Sequence, residues 1–179
     1  MAIKSKPCKE CGSIYHTAMF HKPKKPLKRS PLKKTAVKPK KKAVKRVVSR
    51  SQLVKNLDSV FSQYIRLRDA RELNGEWQAM CVTSGEWKHW KNQQAGHFFT
   101  RGRYATRWDE TNVHVQSYRD NVLLKGNYIV YTRWMIDKYG REYVDELERK
   151  SLTQAKFSRA DLEEKIEEYK RKVKELWHD

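Results

Sequence analysis

Between Ser51 and Leu73, apolar residues fall at Leu53, Leu57, Val60, Phe61, Tyr64, Ile65 and Leu67, the spacing of one helical face. Ser51 suits a cap and Asn74-Gly75 a stop, so the pattern predicts a helix over 51–73. The period then changes. Glu76 to Trp90 reads as a hairpin, with Gln78 to Thr83 and Trp87 to Trp90 flanking a turn at Ser84-Gly85. Thr111 to Ser117 is a second short extended piece, and a helix begins near Arg119. Tyr128 to Tyr139 is helical up to Gly140, and Glu142 to Lys150 makes another helix. The last helix opens at Ser158-Arg-Ala-Asp161, a capping-box start, and carries Leu162, Ile166, Tyr169, Val173 and Leu176 on one stripe. That stripe spans barely two heptads, so packing on its own domain is favoured over a dimerising coiled coil.

Upstream of Ser51 there is no such period. Lys22 to Arg50 is Lys and Arg interleaved with Pro23, Pro26, Pro31 and Pro39, which predicts an arm too poor in apolar residues to order itself. Charge sharpens this division. The 179 residues hold 40 Lys and Arg against 21 Asp and Glu, a net +19. Residues 1–50 account for 17 of those cations and a single acid, Glu10, a net +16, so the remainder is nearly balanced at +3. Such an arm, Lys40, Lys41 and Lys42 among it, suits salt-dependent, sequence-blind contact with nucleic-acid phosphates. The competing reading is a solubilising linker. No stretch is apolar enough to span a membrane, no signal-peptide core is present, and three cysteines make no disulfide framework.

Two of those cysteines belong to Cys8-x2-Cys11-x4-His16-x4-His21. Two thiolates and two imidazoles at that spacing would close a tetrahedral structural Zn²⁺ site, a zinc knuckle with His in the last place. A bare C-x2-C with incidental histidines, or half of a zinc ribbon, is the alternative.

The densest chemistry lies between Gln94 and Asn121. His97 follows Gly96 after an extended segment, where its imidazole could serve as a general base near neutral pH. Arg101, Arg103 and Arg107 follow within ten residues and suit bidentate phosphate contact. Asn112 and Asn121 offer carboxamide oxygens to a hard cation, or hydrogen bonds that fix loop and imidazole geometry.

The run Gly96-His97-Phe98, Arg101, Tyr104-Ala105-Thr106-Arg107-Trp108-Asp109-Glu110, Asn112, His114, Gln116, Asn121, Gly126-Asn127, Tyr131, Tyr139-Gly140 and Val144-Asp145-Glu146-Leu147 closely resembles the NinG recombination proteins of lambdoid phages. The resemblance implies an α+β fold: a small ββα-metal, HNH-like core flanked by an N-terminal helix and C-terminal helices, preceded by the disordered basic arm. With the spacing and charge division above, the chain reads as a candidate zinc knuckle over 1–21, the disordered basic arm over 22–50, an HNH-like nuclease domain with flanking helices over 51–150 and a C-terminal helix over 151–179. The resemblance implies a Mg²⁺- or Mn²⁺-dependent endonuclease cleaving branched DNA such as Holliday junctions and D-loops. The setting would be the host cytoplasm, with other phage recombination proteins as partners. By position, His97 would be the base, Asn112 would orient its loop, and Asn121 would touch the catalytic metal. A homodimer would suit a reaction that needs two cuts.

The chain also departs from the family. The module's structural zinc uses two C-x2-C pairs, which here read Cys81-Val-Thr-Ser84 and Ser117-Tyr-Arg-Asp120. One thiol, one carboxylate and two hydroxyls make a poor zinc site, so no zinc is expected in the core. Trp87, Trp90, Phe98 and Tyr118 are the candidates to hold the hairpin to the helix instead. Gln94 stands where similar members carry Asp, which removes a metal-binding carboxylate. Two other functions therefore compete: a degenerate accessory that binds branched DNA without cutting, and an RNA-binding or packaging protein led by the knuckle and arm.

Overall fold

The first helix starts earlier and ends sooner than its apolar pattern suggests. In the computed structural model, which describes residues 47–177, the Ser49 hydroxyl accepts from the Gln52 amide, and helix α1 runs Arg50–Arg68. Asp69 ends it, and the following residues form strand β1 (Ala70–Leu73) rather than a last helical turn. Asn74 and Gly75 explain this difference. Both adopt positive φ, 53° and 78°, and they form a two-residue turn into strand β2 (Glu76–Met80), with Leu73 opposite Glu76. An Asn-Gly pair meets that twist at little cost and turns the chain into a hairpin, whereas a helix stop would let it wander. Strand β3 (Trp87–His89) completes an antiparallel sheet in the order β1-β2-β3.

After a 3-10 turn at Trp90–Asn92, strand β4 (Gln94–His97) pairs antiparallel with strand β5 (Val113–Gln116), Gln94 opposite Gln116 and His97 opposite Val113. A long loop, 98–112, joins the two strands. A π-helical turn (Arg119–Leu123) follows, then helices α2 (Tyr128–Tyr139), α3 (Arg141–Leu152) and α4 (Arg159–Glu175). The Ser158–Asp161 capping box forms in both directions at the start of α4. The α+β class is thus as expected.

Every element above belongs to one unit, Lys45–Asp179. Its main core packs the α1 face, with Leu57, Phe61 and Ile65, against Leu162, Ile166 and Tyr169 of α4 and against Ala95, Val113 and Val115 of the β4–β5 pair. The C-terminal helix is therefore part of the same core, and its apolar stripe is buried within the chain. Phe98, Tyr131, Met135, Val144 and Leu147 form a second core between the loop, α2 and α3. No helix among the described residues is long and apolar enough to cross a membrane.

Candidate functional site

Strand β4 delivers His97 to the mouth of the 98–112 loop, and the loop is pinned at several points. Asn112 is fully buried; its Nδ2 donates to the Phe99 and Thr106 carbonyls, both at 2.9 Å, and its Oδ1 accepts from the Phe99 amide at 2.8 Å. All three side-chain bonds run to loop backbone. Arg107 and Trp108 tie the same loop to α1: the Arg107 guanidinium grips the Asp58 carboxylate at 2.6 and 3.0 Å, and the Trp108 indole donates to Asp58 at 2.9 Å. Arg107 also donates to the Arg101 carbonyl. Glu110 accepts from Tyr64 of α1 and Lys172 of α4, and Asp109 from Lys150 of α3.

Against this frame the His97 imidazole places Nε2 3.0 Å from the Arg107 carbonyl oxygen. A carbonyl only accepts, so Nε2 carries the proton and Nδ1 keeps the lone pair. Burial, then the nearby Arg101 charge, pushes the imidazole pKa down to about 4, so the ring is neutral at physiological pH. The strand behind it is equally constrained. A Cβ at Gly96 would overlap the Gln116 side chain, so only glycine fits there. The Gly96 carbonyl accepts from Tyr131 Oη at 3.1 Å. With its proton committed there, Tyr131 must accept from His114 Nδ1, and His114 Nε2 must accept from Tyr139 Oη at 2.8 Å. Burial pushes the His114 pKa to about 2, in keeping with a neutral ring in that relay.

Asn121, on the π-helical turn, donates to Gln94 Oε1 at 2.6 Å, leaving its own Oδ1 free of a described protein partner. Asn121 is therefore brought to Gln94, the position where similar members carry Asp, at the start of the strand that ends in His97, while Asn112, the other carboxamide read as a cation donor, is committed to loop backbone. Carboxamide oxygens are hard donors of the type Mg²⁺ takes, yet they bring no negative charge. Among the described residues no three His, Cys, Asp or Glu side chains converge as a metal group. Such a pair fits a divalent cation only when phosphate oxygens complete the shell and supply the charge.

The three arginines separate. Arg101 and Arg103 are exposed, whereas Arg107 is committed to Asp58, so a phosphate could engage its fork only by displacing that carboxylate. The candidate zinc ligands Cys8, Cys11, His16 and His21, and Lys40, Lys41 and Lys42 of the arm, lie outside the described residues.

The four positions of the family's core zinc also converge, around a carboxylate. Asp120 is 1% exposed and accepts from Cys81 Sγ at 3.2 Å, Ser117 Oγ at 3.1 Å and Asn127 Nδ2 at 3.1 Å, while its amide donates to Ser117 Oγ. Burial alone would raise its pKa, but hydrogen bonds from Cys81, Ser84, Thr83 and Asn127 hold it below the usual carboxylate value. This knot joins the β2–β3 turn to the segment after β5. The aromatics named for this role divide: Trp90 packs into the main core with α1 and Phe98 stacks on Tyr128 of α2, while Trp87 and Tyr118 are 37% and 54% exposed.

The model of the bacteriophage lambda NinG protein family matches residues 9–179. The chain belongs to the NinG family. No curated protein and no solved structure shows a significant match to it. Within this NinG family chain, residues 94–121 carry the densest part of the motif, and the structure adds partners that spacing did not disclose. Asp58 and Tyr131 hold the loop and the strand from α1 and α2, 49 and 35 residues from their partners. Tyr131 carried a signal, since it lies in the family run; Asp58, one polar residue on a helix, carried none.

Proposed function

We propose that this NinG family chain is a phage recombination endonuclease that cleaves branched DNA, with β4, β5 and the following helical segment serving as its ββα nuclease module. The observation that supports it is the His97 imidazole, neutral and anchored through Nε2, with Nδ1 left as the acceptor in a loop immobilised by Asn112. A water placed against Nδ1 would lose its proton to the ring and attack phosphorus in line, breaking the bond to the opposite oxygen. The Arg107 carbonyl would stabilise the imidazolium that forms. Mg²⁺ or Mn²⁺, held by Gln94, Asn121 and phosphate oxygens, would stabilise charge on the phosphate and the leaving oxygen. Arg101 and Arg103, with the basic arm, would hold flanking phosphates.

The uncharged Gln94–Asn121 pair favours a second reading, an accessory that binds branched DNA and does not cut it. Labelled four-way junction and linear duplex, incubated with Mg²⁺ or Mn²⁺ and then with EDTA, separate the two. Metal-dependent cutting that disappears in His97→Ala, with binding retained, is the expected result. Junction binding without any cutting leaves the accessory reading in its place.

A further inference from the structure

Beside the Gln94–Asn121 pair, a cavity of about 390 Å³ opens between α1, the 3-10 turn and β4. Its walls include Ser62, Arg66, Lys91, Asn92, Gln94 and Arg101, three cations with no carboxylate among the lining residues. Arg66 is the informative one. It is half-buried, and burial lowers its pKa with no carboxylate acting in the other direction. Its neighbour two residues on, Arg68, is paired with Asp69; Arg66 has no carboxylate within ion-pair distance among the described residues. Its guanidinium is steered by backbone carbonyls alone: Nε donates to Ser62, and one Nη donates to the Lys91 and Gln93 carbonyls. The other Nη, with two N–H groups, has no described partner.

Lys91 brings a second cation to the same place. Arg66 Cζ lies 5.3 Å and Lys91 Nζ 5.5 Å from the centroid of the buried Trp90 ring. Two like charges held against one ring, with a third at Arg101 and no acid in the wall, repel one another until an anion enters. Carbonyl dipoles at the end of α1 offset only part of that charge. The donors left open, a flat two-hydrogen guanidinium edge and a mobile ammonium, match a tetrahedral oxyanion.

We propose that this cavity is a subsite for a nucleic-acid backbone phosphate flanking the one that His97 would attack, with Arg66, Lys91 and Arg101 as its donors. The position relative to the reacting phosphate rests on the nuclease reading; the binding of a strand phosphate here does not. Lys91 and Arg101 are exposed, so Lys91→Gln and Arg101→Gln leave the fold intact, while Arg66→Lys keeps the charge and removes the planar edge. Junction affinity of the full-length protein, measured across a salt series, should fall about tenfold in Lys91→Gln/Arg101→Gln, and the log–log salt slope should become shallower by about 0.9, the contribution of one phosphate. Arg66→Lys should lose affinity with little change in slope. A thymidine dinucleotide should shift the Trp90 indole NMR signal, in wild type and in His97→Ala alike, and inorganic phosphate should do so only more weakly.

Unchanged affinity and slope in these variants, or inorganic phosphate binding as tightly as the dinucleotide, would overturn the subsite. The nuclease reading fails separately: junction binding with no metal-dependent cutting removes that reading and leaves a binding subsite for DNA, whereas cutting that survives His97→Ala removes only His97 as the base.

Discussion

A histidine that takes a proton from water must be neutral beforehand and must present a defined nitrogen. At His97 the Arg107 carbonyl selects the nitrogen, while burial and Arg101 keep the ring neutral with a pKa of about 4. The acidic limb of the cleavage rate should therefore lie well below the ordinary imidazole value of 6.5, with turnover at pH 5.5 close to that at pH 7. A limb at pH 6.5 would mean that a solvated group is the base. Stability follows the same linkage. Between pH 6.5 and 4 the unfolded chain protonates this histidine and the folded chain does not, so acid favours unfolding, and His97→Ala should flatten the fall in urea midpoint across that window. Gln94 poses a complementary question. If charge is what the Gln94–Asn121 pair lacks, Gln94→Asp should lower the Mg²⁺ concentration for half-maximal cutting several-fold, and an unchanged or raised requirement would place the cation elsewhere. His97 and Asn112 were legible because their spacing within one motif announces them. Asp58 was not, since its role exists only once α1 lies across a loop 49 residues away.

At the level of elements, local signals were reliable where one of them dominated, as at Gly140 after α2 and at the capping box of α4. They failed where two competed. The apolar face of α1 ends at Leu67 while the stop signal waits until Asn74-Gly75, and that pair turns the chain so tightly that 70–73 pair with β2 instead of adding a helical turn. Departures from the cysteine pattern hid a different kind of information. Cys81 and Ser117 meet at the Asp120 carboxylate as hydrogen-bond donors, and Ser84 acts on the same carboxylate. Polar side chains at those positions are locally ordinary; only their convergence shows that they form a clamp. The triple variant Ser84→Cys/Ser117→Cys/Asp120→Cys, with native Cys81, should bind one Zn²⁺ or Co²⁺, give the thiolate-to-Co²⁺ absorption of a four-thiolate site, and lose stability to EDTA as the parent does not. Absence of metal uptake by a folded triple variant would show that these four positions do not reach a common centre. Asp120→Asn alone should cost about 1–3 kcal/mol, because one of the two accepting oxygens becomes an NH2 that faces a buried donor, Asn127 Nδ2 or the Cys81 and Ser117 pair.

For the whole molecule the question is which part senses DNA in general and which part distinguishes one DNA from another. On the proposed function, the net +16 of residues 1–50 against +3 for the rest would give general affinity to the arm. It leaves shape discrimination to the body, whose opposite charges nearly cancel in number and whose cations gather without a lining carboxylate at the Arg66 cavity. The boundary for testing this follows from α1. Ser49 caps that helix and must stay, so a deletion of 22–46 removes 13 Lys and Arg without touching the fold of the body. Binding to junction and to linear duplex should weaken by the same factor, and both log–log salt slopes should flatten by several units, at about 0.9 for each phosphate that the arm no longer neutralises. The ratio of junction to duplex affinity should stay where it was, since a run of cations senses only phosphate density while a pinned loop and a fixed cavity sense where strands diverge. Should that ratio collapse to unity with the arm removed, selectivity would reside in the arm, and the rigid frame around His97 would be responsible for cutting alone.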